Sequence, residues 1–132
     1  MSHPEFLLLK NVASRSPYTI RADETLTKAR DVMQEHHIRH LVVLENGKLA
    51  GLISERDLLL GMTLSGNGNT PVEEVMASDV YAVDVSAPLA EIVFHMATHK
   101  LGSAIALENG EVSGIFTSID ALKVLGEILA GK

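Results

Sequence analysis

The chain has 132 residues, of which 46% are apolar and only 4% are aromatic; this composition predicts a folded α/β domain with an aliphatic core rather than a disordered segment. Its 17 acidic and 11 basic residues give a net charge of -6. That balance argues against double-stranded nucleic acid as a partner, because such binding depends on lysine and arginine contacts to phosphate. The absence of cysteine excludes disulfides, thiolate nucleophiles and thiolate-bound metals.

The N-terminal apolar run, residues 6–9, is short, follows Glu5 and precedes Lys10, so it lacks the organisation of a signal peptide. No window of the sequence approaches the roughly 18 to 20 apolar residues that a membrane-spanning helix needs. We therefore expect a soluble cytoplasmic protein without a membrane partner.

The first half of the chain predicts a strand, a helix, a β-hairpin and a second helix. Residues 17–20 form a short segment that favours a β-strand. Apolar runs on both sides of Asn46 and Gly47 predict a hairpin, and the closing helix is expected to begin near Ser54. Between the strand and the hairpin, a helix that faces the core is predicted by the apolar stripe Leu26, Ala29, Val32 and Met33.

A polar, glycine-rich segment predicts a flexible linker at residues 63–71. The segment follows a helix rather than a strand, so it does not have the context of a phosphate-binding glycine loop. Thr70 and Glu73 then have the spacing of a capping box, which predicts a short helix.

The second half of the chain repeats the first at a shift of 63 positions, without a gap. The equivalent pairs include Leu44 to Gly47 with Leu107 to Gly110, Gly51 with Gly114, and Asp57 with Asp120. A match of this length predicts an internal duplication. The predicted organisation is a first repeat with an N-terminal helix at 1–62, a linker at 63–71 and a second repeat at 72–132.

The end of each hairpin resembles the signature of CBS (cystathionine-β-synthase) domains, which is glycine, two apolar residues, Ser or Thr, any two residues, and Asp. The two copies are residues 51–57 and residues 114–120. The resemblance extends from about Val12 to Leu125, and the family also predicts the duplication. It implies an α/β fold of two pseudo-symmetric strand-helix-strand-strand-helix repeats, packed sheet to sheet with clefts between them.

Proteins of this family usually regulate something else and bind adenosine derivatives, so the resemblance implies a sensor of AMP, ADP or ATP. The chain is then expected to form a homodimer, to act on a separate and unidentified effector protein, and to need no cofactor. Two alternatives stay open: the ligand is S-adenosylmethionine or NAD, or the protein is a structural or partner-binding dimer with degenerate clefts.

The signature residues have the chemistry that a nucleotide requires. Asp57 and Asp120 can accept hydrogen bonds from vicinal ribose hydroxyls, and Ser54 and Thr117 are predicted at helix N-termini, which favour phosphate. The resemblance implies that each cleft combines this motif from one repeat with strand-leading residues of the other. The first predicted cleft comprises Pro17, Tyr18, Ile38, Arg39, His40, Ile115, Thr117 and Asp120. The second comprises Val80, Tyr81, Leu101, Gly102, Ser103, Ile53, Ser54, Arg56 and Asp57.

The two predicted clefts differ in charge. Arg39 and His40 supply cationic donors to the first cleft, whereas Gly102 and Ser103 supply none to the second. Arg56 partly compensates in the second cleft. We therefore expect the first cleft to bind a phosphorylated ligand more tightly.

The signature also has an interpretation that needs no ligand. Ser54 with Asp57, and Thr117 with Asp120, have the spacing of N-terminal caps, which typically contribute about 1 kcal/mol to helix stability. Capping and nucleotide binding are compatible, because a capped helix N-terminus still presents backbone N–H groups to an anion.

Catalysis and metal binding are not predicted. Of the six histidines, His95 and His99 have helical spacing but lack the acidic partner of a His-Glu-x-x-His motif. No combination of Ser, His and Asp suggests a nucleophilic triad. The protein is therefore expected not to be an enzyme.

Overall fold

The computed structural model describes residues 7–131, which divide into two compact units. The first-repeat unit is Pro17–Val80, and the second-repeat unit combines residues 7–16 with residues 81–131. Residues 1–6 and 132, which were included in the predicted repeats, lie outside the described residues, as does His3. Within each unit the predicted α/β order of strand, helix, two strands and helix is confirmed.

Seven strands and five α-helices occupy the described part of the chain. In chain order they are α1 (Leu9–Val12), β1 (Ser14–Arg15), β2 (Thr19–Arg21), α2 (Leu26–His36), β3 (His40–Glu45), β4 (Lys48–Ser54), α3 (Glu55–Ser65), β5 (Ala82–Asp84), α4 (Leu89–His99), β6 (Ser103–Glu108), β7 (Glu111–Thr117) and α5 (Ser118–Leu129). A 3-10 turn at Val72–Glu74 precedes β5. One sheet has the order β2-β3-β4 and the other has the order β1-β7-β6-β5.

The two sheets have the same pairing pattern because the two sequences are equivalent. In each repeat the first strand pairs parallel with the second, β2 with β3 and β5 with β6. The second strand then forms an antiparallel hairpin with the third, β3 with β4 and β6 with β7. The turns are those predicted, since Asn46, Gly47, Asn109 and Gly110 all have the positive φ angles that this type of hairpin turn requires.

The apolar stripes of the helices form the cores, as predicted. In the first-repeat unit Leu26, Ala29 and Met33 of α2 are buried together with Leu41 and Ile53 of the sheet. The second-repeat core contains the equivalent helix residues and a fully buried phenylalanine; its members are Leu9, Leu89, Ile92, Met96, Ala104, Ala106 and Phe116.

The segment that leads into each repeat packs in the unit of the other repeat. In the second-repeat unit, β1 pairs with β7, with Ser14 opposite Ile115. In the first-repeat unit, Ala77 pairs with Leu52 of β4. The sequence analysis grouped the N-terminal helix with the first repeat, but α1 packs in the second-repeat unit, where the open edge of β7 provides hydrogen-bond partners.

Two local features of the connecting segment differ from the sequence-based prediction. Helix α3 extends to Ser65 and ends at Gly66, which adopts the left-handed conformation with φ 64°. The capping box expected at Thr70 does not form, because Pro71 occupies the cap position and has no side-chain acceptor. The Thr70 hydroxyl instead donates to the carbonyl oxygen of Asn67 at 3.0 Å.

Candidate functional site

The candidate site of the first repeat lies at one edge of its sheet, where β3 begins and β4 ends. His40 is the first residue of β3 and pairs with Ser54, the last residue of β4. The backbone N–H of Glu55 donates to the carbonyl oxygen of Arg39 at 2.8 Å. Arg39 and His40 therefore lie directly beside the N-terminus of α3, in their own repeat.

The residues before β2 lie at the same edge. The carbonyl oxygen of Tyr18 accepts a hydrogen bond from the backbone N–H of Val42 at 3.2 Å, and Pro17 precedes it. Ile38 is partly buried just before the start of β3, whereas Arg39 is exposed. A cation, a hydroxyl and a helix N-terminus thus converge at this edge of the first-repeat sheet.

The N-terminus of α3 forms the predicted capping box. The Ser54 hydroxyl accepts from the backbone N–H of Asp57 at 3.1 Å, and the Ser54 N–H donates to Asp57 Oδ2 at 3.3 Å. Within residues 7–131 we find no hydrogen bond to the other carboxylate oxygen, Oδ1, of Asp57. The cap therefore uses one oxygen of this partly buried side chain, Oδ2.

The charge of His40 differs from the prediction. Burial lowers the pKa of His40; the negative charge of Asp57 opposes this shift, and the positive charge of Arg39 adds to it. His40 is therefore neutral at pH 7 and contributes a ring N–H or a ring acceptor rather than the predicted cation. Arg39 supplies the positive charge beside Ser54.

The second repeat has the same geometry without the cation. Ser103 pairs with Thr117, and the backbone N–H of Ser118 donates to the carbonyl oxygen of Gly102 at 2.9 Å. The Thr117 N–H donates to Asp120 Oδ2 at 2.9 Å, which completes a second capping box. The residues at the other positions of this edge are Val80, Tyr81 and Leu101.

The ladders group these residues differently from the prediction. The sequence analysis assigned Arg39 and His40 to a cleft with Thr117, and Ser54 to the other cleft, but the ladder places Ser54 beside Arg39 and His40. The signal was available in the sequence, because a hairpin that turns at Asn46 and Gly47 brings the start of one strand to the end of the next. The predicted clefts combine residues of both units, and they stay a prediction.

One residue of the second predicted cleft, Ile53, is buried in the core, and its neighbour Leu52 is only partly buried. The side chain of Ile53 is fully buried in the first-repeat core, so it cannot line a ligand site. Side chains alternate along a strand, and Leu52, not Ile53, is the repeat equivalent of Ile115. Both Leu52 and Ile115 are only partly buried, so a stricter use of the repeat would have selected Leu52.

The two tyrosines that lead into the first strands stack on histidines of their own units. The rings of Tyr18 and His36 lie 4.0 Å apart, and those of Tyr81 and His95 lie 4.1 Å apart. His99 extends the second stack, 4.0 Å from His95. From the sequence, His95 and His99 were considered only as metal ligands, because stacking between a residue before a strand and a residue of a helix has no local sequence signal.

The described residues lack two other kinds of feature. Residues 7–131 contain no group of three or more His, Cys, Asp or Glu side chains arranged to hold a metal ion. None of the helices in this part of the chain has both the length and the apolar character needed to cross a membrane. Arg56, the other cation of the α3 N-terminus, is exposed.

Comparisons with known proteins give consistent results. A family model described as CBS domain matches residues 9–63 and 72–127. A CBS domain-containing protein of Bacillus subtilis, YhcV, is 27% identical over 108 residues, which are 81% of this chain and 77% of the relative. The structure of AcuB from Vibrio cholerae has a TM-score of 0.83 and 31% identity, and the match covers 95% of this chain and 94% of that chain.

A third comparison is with a structure that contains ligands. The CBS domain pair of protein MJ0100, solved in complex with 5′-methylthioadenosine and S-adenosyl-L-methionine, has a TM-score of 0.82. It is 24% identical, and the match covers 92% of this chain and 97% of that chain. At 24% identity, the similarity between the two structures concerns the fold alone.

Proposed function

This chain belongs to the CBS domain family, whose paired domains are generally regulatory, ligand-binding modules rather than enzymes, and we propose that it senses an adenine nucleotide of the AMP, ADP or ATP type. The nucleotide binds mainly through the first repeat. Its signal passes to a separate effector protein in the cytoplasm, where adenine nucleotides are abundant.

The observation that carries this proposal is the convergence at the first-repeat edge. Arg39 lies beside the capped N-terminus of α3, where Glu55 N donates to Arg39 O at 2.8 Å. A guanidinium and the N-terminal end of a helix both stabilise a phosphate. Asp57, in the first turn of the same helix, has an oxygen that the cap does not use, and a carboxylate there can accept both hydroxyls of a ribose.

The charges favour a phosphorylated ligand over the alternatives. Arg39 attracts phosphate and repels the sulfonium of S-adenosylmethionine, although the MJ0100 pair, solved with that ligand and with 5′-methylthioadenosine, supports adenosine recognition by this fold. NAD presents its phosphates between two ribosides and needs a longer site. AMP, ADP and ATP place a terminal phosphate where one cation can reach it.

A second candidate function is supported by the two complete capping boxes. Both Asp57 and Asp120 hold the start of a helix without any ligand, which is what a structural or partner-binding dimer with degenerate clefts requires. The tyrosine stacks weigh against the version of this alternative in which the two tyrosines fill the clefts. Tyr18 and Tyr81 each stack on a histidine of the same unit. Their rings are therefore held in place by contacts within one unit.

Replacing Asp57 with Asn separates the two functions, because Asn keeps an oxygen acceptor for the Ser54 N–H but loses the charge. We expect the free energy of unfolding to fall by less than about 1 kcal/mol, and the affinity for AMP to fall roughly 10-fold or more because a charge-assisted hydrogen bond is lost. Thermal melting and calorimetric titration measure the two effects. The matched control is Asp120→Asn. Asp120 lies at the equivalent edge of the second repeat, which has no counterpart of Arg39, so this substitution should lower the AMP affinity less.

A structural role predicts the opposite pattern. Asp57→Asn would then alter the melting temperature with no change in nucleotide affinity, or no nucleotide would bind to either protein. Equal losses of AMP affinity in Asp57→Asn and Asp120→Asn would contradict the assignment of the main site to the first repeat.

A further inference from the structure

Helix α4 of the second-repeat unit carries two histidines that the proposed function does not use. His95 and His99 are one helical turn apart, and their ring centroids lie 4.0 Å apart with 26° between the ring planes. The ring of Tyr81 stacks on His95 at 4.1 Å. His95 is partly buried and His99 is exposed. We call these two imidazoles the α4 histidine pair.

The spacing of the α4 histidine pair is that of two ligands to one metal ion. Two histidines four residues apart on one face of a helix bind zinc in the His-Glu-x-x-His motif. Tetrahedral zinc, with bonds to nitrogen of roughly 2.0 to 2.1 Å, holds two ring nitrogens about 3.3 Å apart. Rings whose centroids are 4.0 Å apart are therefore close to the separation that one ion requires.

A hydrogen bond within the pair leaves His99 with a ring nitrogen that can bind a metal. His99 Nδ1 lies 3.0 Å from the carbonyl oxygen of His95, and Nδ1 carries the hydrogen because a carbonyl oxygen can only accept. The other ring nitrogen, Nε2, then has the lone pair of a neutral imidazole. Histidines that bind metals usually donate from their second ring nitrogen to a carbonyl or carboxylate oxygen, which orients the ring.

The pair lacks the glutamate of the His-Glu-x-x-His motif, which argues against catalysis but not against binding. In that motif the glutamate is the general base and not a ligand. Within residues 7–131 no third His, Cys, Asp or Glu side chain completes a three-ligand group with the pair, so water would complete the coordination of an ion. Burial raises the pKa of Tyr81, and the negative charge of Glu91, one turn before His95, adds to this shift. The same charge favours a cation near His95.

The second histidine of the pair is specific to the second repeat. Val32 stands where α4 has His95, and His36 stands where α4 has His99. The first repeat therefore has a tyrosine stack, between Tyr18 and His36 at 4.0 Å, but only one imidazole in it. Stacking on a tyrosine thus needs a single histidine and does not account for the second.

We propose that His95 and His99 together bind a divalent transition-metal ion that prefers imidazole, such as Zn²⁺. Imidazole suits Zn²⁺, whereas Mg²⁺ and Ca²⁺ prefer oxygen ligands. His95 lies between the rings of His99 and Tyr81, so the bound ion also steadies the Tyr81 ring just before β5. This inference goes beyond the proposed function and does not depend on it, because it uses none of the residues proposed to bind the nucleotide.

The first repeat provides the matched control for the test. Protein without a histidine tag is treated with a chelator, dialysed and titrated with zinc chloride by calorimetry. We expect His99→Ala to weaken zinc binding roughly 10-fold or more, because one of two ligands is lost. His36→Ala removes the equivalent single histidine and should leave the zinc affinity unchanged. Magnesium chloride should produce no binding signal that His99→Ala removes.

Three results would overturn the proposal: no zinc binding to the wild type at millimolar concentration, equal affinities of the wild type and His99→Ala, or an equal loss in His36→Ala. Circular dichroism identifies a variant that fails to fold. In that case NMR of the wild type decides, because zinc should shift the ring signals of His95 and His99 before those of His36, and the reverse order refutes the site. Nucleotide titrations in the presence of a chelator test the proposed function separately.

Discussion

A single position most clearly distinguishes the candidate site of the first repeat from the equivalent edge of the second repeat. Arg39 of the first repeat is equivalent to Gly102 of the second, and each lies beside the capped N-terminus of the following helix. Since the remaining geometry is the same, we expect the guanidinium to decide which of the two edges attracts phosphate. Both the charge difference and the hairpin that brings Arg39 close to Ser54 could be read from the sequence.

Exchanging these residues tests the role of the guanidinium. We expect Arg39→Gln to lower the affinity for AMP roughly 10- to 100-fold, the usual range for one charge-assisted hydrogen bond, and to leave adenosine binding nearly unchanged. Gly102→Arg should add a phosphate-dependent binding event, because a Cβ at position 102 would meet no atom within 4 Å among the described residues. Calorimetry with AMP and adenosine measures both effects; equal losses for the two ligands in Arg39→Gln would contradict the role in phosphate binding.

His40 makes stability depend on pH. Burial lowers its pKa in the folded protein, so the unfolded chain binds the proton more readily and stability rises with pH. The contribution is fully present above the unfolded pKa of about 6.5 and is lost as the pH falls below that value and through the lower pKa of the folded protein. The melting temperature should therefore decrease on acidification, and less so in His40→Gln. Identical pH profiles for the two proteins would show that His40 does not titrate in this way.

At the scale of the elements, the glycine of each signature is explained by a close backbone approach. A Cβ at Gly114 would lie 2.5 Å from the carbonyl oxygen of Ser14 in β1, and a Cβ at Gly51 would lie 2.5 Å from the carbonyl oxygen of Ala77. The leading segments pack against the sheets at these points. The sequence showed that a glycine recurs at this position of the signature. It did not show the reason, because the backbone that each glycine approaches is distant in the chain.

A substitution at this approach tests the packing of β1. We expect Gly114→Ala to destabilise the protein by about 1 to 3 kcal/mol, because the backbone of β1 has to move. Gly102→Ala is the control, since its side chain meets nothing within 4 Å and the substitution should be neutral or stabilise slightly, by up to about 1 kcal/mol. Chemical denaturation measures both variants. A Gly114→Ala protein as stable as Gly102→Ala would show that β1 does not pack closely at this point.

The local elements could be predicted from the sequence, whereas the grouping of segments into units could not. Helix periodicity, the Asn-Gly turns and the signature caps all depend on neighbours within a few residues, and each is found in the structure. The leading segments form only two- or one-residue pairings with β7 and β4. Pairings this short leave no periodicity, so the sequence did not show that α1 packs in the second-repeat unit.

For the whole molecule, duplication followed by divergence explains why the edges of the two sheets have the same geometry and differ in charge. The repeats have retained the sheets, turns and capping boxes, so both copies hold an aspartate in the first turn of a helix. They differ at the equivalent positions Arg39 and Gly102, which is why we propose that a nucleotide binds mainly through the first repeat.

The measurement that tests the central claim most directly is a calorimetric titration of nucleotide-free protein with AMP, ADP, ATP, S-adenosylmethionine and NAD. The proposal predicts saturable binding of at least one of the first three, and stabilisation approaching about 2.7 kcal/mol at a hundredfold excess over its dissociation constant. Binding of none of the five at millimolar concentration would contradict nucleotide sensing and favour the structural dimer. Binding of S-adenosylmethionine alone would contradict the proposed role of Arg39 in choosing a phosphorylated ligand.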